Sequence, residues 1–500
     1  MMKDEPIQIQ NHKDKKMFIG VVCNGGAELK LLVSALLFLC SIISLFQFFP
    51  SSSVGDLRDC ASFPPPSSTT PPLVKNKKLE DVVVDTGLIK RNFNGYGSAA
   101  YNFILMSAYR GGGGTFAVIG LSSKPLHLFS KPTYVCQWVP YNATNNNNEN
   151  ITVAGYKILP DWGYGRVYTV VVVNCTFPFP VGEDGSGGRL LVHASTSGGG
   201  DSNFYVSDTI DALTETPGSL TALQFFEAPP AYEYLYCGSP LYGNLSPQRV
   251  REWIAYHANL FGEKSHFVIY DAGGVEAEVM EVLRPWIEKG YVTLQDVKEE
   301  ERFDGYYHNQ FLIVNDCLHR YRFMTKWMFF FDVDEFIFVP KEETTGGIKS
   351  VTDSFSEYTQ FTITQRTMSN KLCYLDDNDN PGKIYRKWGI EKMVYMDTKR
   401  GIRRDRKYAV QPRNVFATGV HMSQNLKGKT IHKTDGKITY YHYHGTISER
   451  REPCRRLLNT TDVNIDGTPY VVDTTMREAA GAVKRFELRM IGPVLQKTHQ

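Results

Sequence analysis

Apolar positions fall into three regimes along the chain. Leu31–Phe49 (LLVSALLFLCSIISLFQFF) is one uncharged apolar stretch. From about Leu79 to Gly218, short β-rich runs lie between Gly, Asn and Pro clusters. After Pro229-Pro230, strand-like runs alternate with segments of helical period. At a rise of ~1.5 Å per residue, the first stretch is long enough to cross a bilayer core of ~30 Å. It begins late and is long for a cleaved signal peptide, so it is predicted to be a retained anchor. Lys13, Lys15 and Lys16 precede it and few charges follow closely. The positive-inside rule then places the N-terminus in the cytosol and the bulk of the chain across the membrane.

In the second regime the spacing predicts strands near Asp81–Val84, Phe116–Ile119, Tyr134–Val139, Arg166–Val173 and Arg189–His193. Short strands without helical periods suggest a β-sandwich. Trp138, Trp162 and Tyr164 are either core aromatics or, if exposed, a surface for sugar rings.

The third regime reads as alternating α/β. Glu233–Cys237 is a predicted strand. Ser246 is placed to cap a helix that starts at Pro247, carries Val250, Trp253, Ile254, Ala258 and Phe261 on one face, and stops at Gly262. A strand His266–Tyr270, a helix over about Val275–Lys289, a strand Tyr291–Leu294 and a helix Gln310–Lys326 follow. The order predicts a doubly wound sheet, with ligands beyond the carboxyl ends of its strands. Asp271 falls at one such end.

The centre of this regime is Trp327–Pro340, WMFFFDVDEFIFVP. Its aromatic run suits a strand buried on both faces. Asp332 and Asp334 would be costly to desolvate without a cation. Residues i and i+2 of an extended segment point the same way, so both can converge on one hard divalent ion.

Bulk properties add limits. A chain of 500 residues exceeds one ordinary core. Lys+Arg 55 against Asp+Glu 53 provides no global field for nucleic acid, and no nucleic-acid partner is expected. The predicted organisation is a cytosolic tail 1–30, the anchor 31–49, a Pro/Ser-rich stem 50–78, a β-sandwich 79–218 and an α/β domain 219–500. Sequons at Asn142, Asn150, Asn174 and Asn459 fit a lumenal domain; a fifth, Asn244, is weakened by Pro247. Seven cysteines follow the anchor, an odd set whose pairings stay open, with Cys60 in the stem as the candidate free thiol.

A β-α-β half followed by an embedded D-x-D resembles the GT-A class of nucleotide-sugar glycosyltransferases. Further motifs narrow the resemblance: Trp388-Gly-Ile-Glu391-Lys392, Gly401 to Ala409, Phe416 to Ser423, and Tyr440-Tyr-His442-Tyr-His444. Together they look like the plant galactan synthases, β-1,4-galactosyltransferases of glycosyltransferase family 92, over about Glu233–Arg450. The resemblance also takes in the anchor and a preceding β-sandwich, which in that family is a carbohydrate-binding module. It implies UDP-galactose as donor, Mn²⁺ as the usual metal, inversion at the anomeric carbon, a β-1,4-galactan acceptor on pectin, and a Golgi membrane location. A homodimer is allowed.

Roles follow from that chemistry. Asp332 and Asp334 are assigned to the metal, with Asp334 the firmer ligand. His444 is the preferred third ligand, because such enzymes often use a C-terminal histidine; His421 is the reserve. Asp271, Asp332, Val333, Asp334, Arg403 and Arg404 are assigned to the donor. Arg403 and Arg404 belong to a dense basic segment from Lys399 to Lys407 suited to a diphosphate or an acidic pectin backbone. Inversion needs a base for the acceptor hydroxyl. Glu391 is preferred, with the acidic loop Asp376, Asp377 and Asp379 as runners-up. The competing readings are a haloacid-dehalogenase-type phosphatase, a membrane-anchored lectin without turnover, and a family 92 enzyme with another donor or acceptor.

Overall fold

The aromatic run forms the strand Thr325–Phe330, and alternate side chains serve two cores. Trp327, Phe329 and Phe331 enter one cluster, while Met328 and Phe330 enter the other. This is why the run is apolar at every position: both faces are covered. Burying each such side chain contributes roughly 1.5–3 kcal/mol.

The computed structural model describes residues 82–83, 88–90, 94–96 and 101–498, apart from 124–131, 142–150, 161–167, 184, 198–204, 219–225, 304–305, 341–346, 377–380, 400–405 and 449. The predicted tail, anchor and stem lie outside the described residues. Among the described residues, no helix is long and apolar enough to cross a membrane. Lys77–Gln500 forms one compact unit.

The parallel half of the main sheet runs in the order Leu88–Lys90, Val292–Asp296, Ser265–Asp271, Tyr232–Cys237, Thr325–Phe330. The chain thus lays its strands outward in one direction, then returns to the far side of Tyr232–Cys237. Helices Pro247–Phe261 and Ala277–Glu288 cover one face, and helix Gln310–Arg320 covers the other. The strand order reverses between Tyr232–Cys237 and Thr325–Phe330, and a crevice opens there. Four more strands complete the path: Lys407–Val410, Gln360–Thr367, Thr439–His442 and Glu335–Phe338.

Local signals set the elements. Ser246 Oγ accepts from the Arg249 amide at 3.3 Å and Pro247 opens the helix, while Gly262 closes it at φ 77°. Helix Gln310–Arg320 stops earlier than its apolar period predicts. The chain must turn at Tyr321–Met324 so that Thr325 can pair with Tyr232.

Residues 94–215 contribute a second, eight-stranded antiparallel sheet from Asn94–Tyr96 to Tyr205–Glu215. It curls so that its last strand meets its early ones: Asn102 Nδ2 donates to Asp208 Oδ2 at 2.9 Å. Trp138 is buried inside it and stacks on Phe116, so it is a core aromatic; Trp162 and Tyr164 lie outside the described residues. Val82–Val83 and Leu88–Lys90 fall within the range expected of this domain, yet they join the main sheet.

One face of the curled sheet is not free. Ile104, Met106, Ile119, Leu121 and Val172 share a core with Leu312, Ile313 and Leu318 of helix Gln310–Arg320. Buried in this junction, Asp316 accepts from Ser107 Oγ at 2.7 Å, Tyr109 Oη at 2.6 Å and Tyr270 Oη at 2.6 Å. Disulfides join Cys136–Cys175, Cys237–Cys317 and Cys373–Cys454. Of the seven cysteines, Cys60 is left over, and it lies outside the described residues.

Candidate active site

Two chain crossings build the site. Asp332 and Asp334 follow the strand Thr325–Phe330, at the reversal of strand order. Strand Glu335–Phe338 then pairs antiparallel with Thr439–His442, with Glu335 opposite His442. Beyond His442 the chain turns, with Gly445 at φ 69°, a conformation glycine adopts freely. The turn is pinned to the acidic segment: the Tyr443 amide donates to Asp334 O at 3.0 Å, and the Gly445 amide to Asp334 Oδ2 at 2.8 Å.

Asp334, His442 and His444 are thereby gathered, each offering one ligand atom within 4.8 Å of the others. His442 Nε2 lies 3.5 Å from Asp334 Oδ1, and its Nδ1 lies 2.7 Å from Gln365 Nε2. Burial would raise the Asp334 carboxyl, but the His442 hydrogen bond and charge and the Gly445 amide outweigh it and hold it below the usual range. Burial opposes the His442 charge, and Asp334 and Glu335 together raise it. A deprotonated carboxylate beside two imidazoles is a donor set that fits a divalent transition metal.

Asp332 takes a different part from the one its spacing suggests. Its Oδ2 accepts from Lys407 Nζ at 2.7 Å and its Oδ1 from Gln310 Nε2 at 2.8 Å. Asp332 is thus already paired with a cation of the protein itself. Lys407 is buried and also faces Glu335 Oε2 at 3.6 Å. Burial pushes the Glu335 carboxyl up to about 8, against the pull of Lys407. Glu335 in turn accepts from the Asp332 amide at 2.7 Å, which holds the start of the acidic turn.

The cleft over these groups has a volume of about 320 Å³. Ser239, Tyr242, Leu245, Tyr307, Ile447 and Ser448 are among the other residues of its walls. His308 stacks on Tyr242 with centroids 3.7 Å apart. A larger cleft of about 700 Å³ lies between helix Ala277–Glu288 and the C-terminal segment, but no histidine lines it.

Other expected site residues are placed elsewhere. Asp271 is buried; it accepts from the Gly273 and Val275 amides and pairs with Lys298 at 2.9 Å, so it closes its own turn. Glu391 Oε2 accepts from the Trp388 amide at 2.7 Å and pairs with Lys484. It caps the short helix Gly389–Lys392 and is absent from the cleft wall. Lys392 is not its partner; it is buried against Glu452 at 2.8 Å. Asp376 is half-exposed, 3.8 Å from Arg477. His421 is exposed and stands apart from the Asp334 group. Asp377, Asp379, Arg403 and Arg404 lie outside the described residues, as do Asn142 and Asn150. Asn174 sits in the strand Tyr168–Thr176, and Asn459 is exposed after Arg456–Leu458.

Sequence reasoning missed Gln310, Gln365 and the individual role of Lys407. No local signal marks the two glutamines. The antiparallel pairing of Lys407–Val410 with Thr325–Phe330 brings the lysine to the acidic turn.

The mixed sheet thus holds a carboxylate–histidine group in the crevice at its strand reversal. The profile of glycosyltransferase family 92 matches residues 232–478. Galactan β-1,4-galactosyltransferase GALS3 of Arabidopsis thaliana is 58% identical over 98% of this chain and 98% of its own. GALS2 of the same plant is 56% identical over 98% of this chain and 99% of its own. A β-1,4-galactosyltransferase of Caenorhabditis elegans, galt-1, is 28% identical over 42% of this chain and 48% of its own. The chain belongs to glycosyltransferase family 92. Its likeness to the plant enzymes runs through both sheets, whereas that to the nematode enzyme covers less than half of the chain.

Proposed function

We propose that this protein transfers galactose from UDP-galactose to the end of a β-1,4-galactan chain, with inversion, in a GT-A-type active site. The observation that carries the reading is the Asp334, His442 and His444 group at the strand reversal of a family 92 chain. Near-full-length likeness to two galactan galactosyltransferases supports galactan as the acceptor class.

Asp334, His442 and His444 would hold the divalent cation, for which we propose Mn²⁺; bound there, it would neutralise charge on the donor diphosphate. The chain's own residues do the rest. Asp332, held by Lys407 and Gln310, presents a fixed carboxylate to the donor. Tyr242 and Tyr307 wall the cleft. Among the described residues, Asp332 and Asp334 are the carboxylates of the cleft wall, and both are already engaged. Glu391 is taken up in capping its helix, which leaves the Asp376–Asp377 segment, with Asp376 likewise outside the cleft wall, as our proposed source of the base for the acceptor hydroxyl.

The curled sheet is proposed as a glycan-binding β-sandwich, and residues 31–49 as the anchor of a type II Golgi protein with the catalytic part in the lumen. Three disulfides within the chain support an oxidising compartment. Protease applied to intact Golgi vesicles should spare the C-terminal bulk; its digestion without detergent would reverse the orientation.

The deciding experiment incubates the purified protein with Mn²⁺, a panel of UDP-sugars and galacto-oligosaccharides, followed by linkage analysis. New β-1,4-linked galactose from UDP-galactose alone is expected. Efficient transfer of another sugar, or glycan binding with no turnover of any donor, would overturn the reading.

A further inference from the structure

The Trp388-Gly389 motif supplies no catalytic group, yet it reaches the metal-binding turn through two buried charges. Glu252 and Arg249 lie on successive turns of helix Pro247–Phe261 and form an ion pair with side chains 0% and 2% exposed. Glu252 Oε1 accepts from the Gly389 amide at 2.8 Å. Gly389 has no room for a side chain: a Cβ there would stand 2.0 Å from Arg249 Nη1 and 2.7 Å from its Cζ. The close approach of that backbone sets where the guanidinium can lie.

From this position Arg249 touches both arms of the site. Its Nη2 donates to Thr446 Oγ1 at 3.3 Å. Its Cζ lies 5.5 Å from the Phe336 ring centre and 5.3 Å from that of Tyr443. Phe336 is two residues beyond Asp334, and Tyr443 stands between His442 and His444. Side chains alternate across an extended segment, so Tyr443 points away from His442 and His444, and the arginine backs that side of the turn. The Ser246 amide adds a bond to Ile447 O at 2.9 Å, tying the helix start to the same turn.

We infer that Arg249, fixed by Glu252 and Gly389, is a positioning residue that holds the His442–Thr446 turn in ligating geometry. The inference rests on the metal-site reading above. The turn is gripped by Asp334 on its front and by Arg249 on its back. Without the rear grip, the turn keeps the backbone bonds to Asp334, which is itself a ligand, the Asn370 Nδ2 bond to His444 O at 2.9 Å and the Ser246 tie, none of which backs the Tyr443 side. Groups that orient metal ligands without touching the metal typically change affinity by 10–100-fold.

The test measures Mn²⁺ dissociation constants by EPR titration of the donor-free protein, alongside kcat, KM and Tm. Arg249→Met and Gly389→Ala should each weaken Mn²⁺ by about 10–100-fold. Transfer should return to within a few-fold of wild type at saturating Mn²⁺, which a global folding defect would not allow. Arg249→Lys keeps the charge but not the forked geometry, and should restore affinity only in part. Thr446→Val leaves the ion pair untouched and keeps the test alive if the larger changes prevent folding; about a tenfold loss is expected from removing one charge-assisted bond. Wild-type Mn²⁺ affinity in folded Arg249→Met, or in Thr446→Val where that is the variant that folds, overturns the positioning role. Asp334→Ala is the separate control. If it binds Mn²⁺ as wild type does, the metal-site reading fails and takes this inference with it.

Discussion

Asp332 Oδ2 and Lys407 Nζ lie 2.7 Å apart, so the first carboxylate of the D-x-D segment is neutralised by the protein itself. Lys407 also faces Glu335, whose side chain is 1% exposed. Removing one partner of a buried pair leaves charge uncompensated, at a cost of about 3–5 kcal/mol. Lys407→Met should lose stability of that order in urea unfolding. Adding Asp332→Asn to it should recover part of the loss. If the single variant is as stable as wild type, the pair does not carry the local electrostatics.

The two aspartates should separate experimentally. Asp334→Ala is expected to lose Mn²⁺ binding and transfer together while the fold survives. Asp332→Asn should keep Mn²⁺ binding and lose transfer. Calorimetric titration on both proteins checks this, and equal loss of metal would put Asp332 back among the ligands.

Glu391→Gln should behave as a change to a helix cap. A cap contributes about 1 kcal/mol, so a small fall in Tm is expected with transfer within a few-fold of wild type. Asp377→Asn, or Asp376→Asn, should instead lower single-turnover transfer by about 10²–10⁴ with donor binding intact, the range for loss of a general base. A Glu391→Gln protein that binds donor and fails to transfer would return the base to Glu391.

The curled sheet should not be removable as a free module. Its apolar face and helix Gln310–Arg320 form one core, and Asp316 accepts three hydroxyls across the junction. Asp316→Ala would strand those donors at about 1–3 kcal/mol each. Truncation to residue 231 should give aggregated protein, checked by size-exclusion chromatography. A monodisperse, active truncation would show that the junction is dispensable.

Acid should destabilise the protein through three buried histidines. His257, His266 and His319 are lowered from 6.5 to about 3, 4 and 3, chiefly by burial. His257 Nε2 accepts from the Ile337 amide at 3.2 Å, which requires the neutral ring. The unfolded chain takes up these protons below about 6.5 and the folded chain does not. Stability from this source is therefore complete above pH 6.5 and declines as pH falls toward 4 and then 3. Urea midpoints across that range should fall with acid, and less steeply in a folded His319→Asn variant. An unchanged slope would mean that His319 is charged in the fold.

Much of the α/β half was legible because its signals are local. Ser246, Pro247 and Gly262 mark both ends of one helix by backbone chemistry alone, and an apolar run of strand length declares burial on both faces. The end of helix Gln310–Arg320 was not legible, because strand pairing between Thr325 and Tyr232 overrides the helical period.

The site divides in the same way. By itself the sequence determined that Asp334 ends a buried strand and that His442 and His444 travel together, because these follow from short-range geometry. The tertiary structure alone decided that Asp332 belongs to Lys407, that Glu391 pairs with Lys484, and that Arg249 lies behind the histidine turn. Each of those partners is brought in by sheet pairing or helix packing from 75, 93 and 197 residues away. A charge is matched by whatever the fold places within a few ångströms of it, and spacing along the chain does not encode that distance.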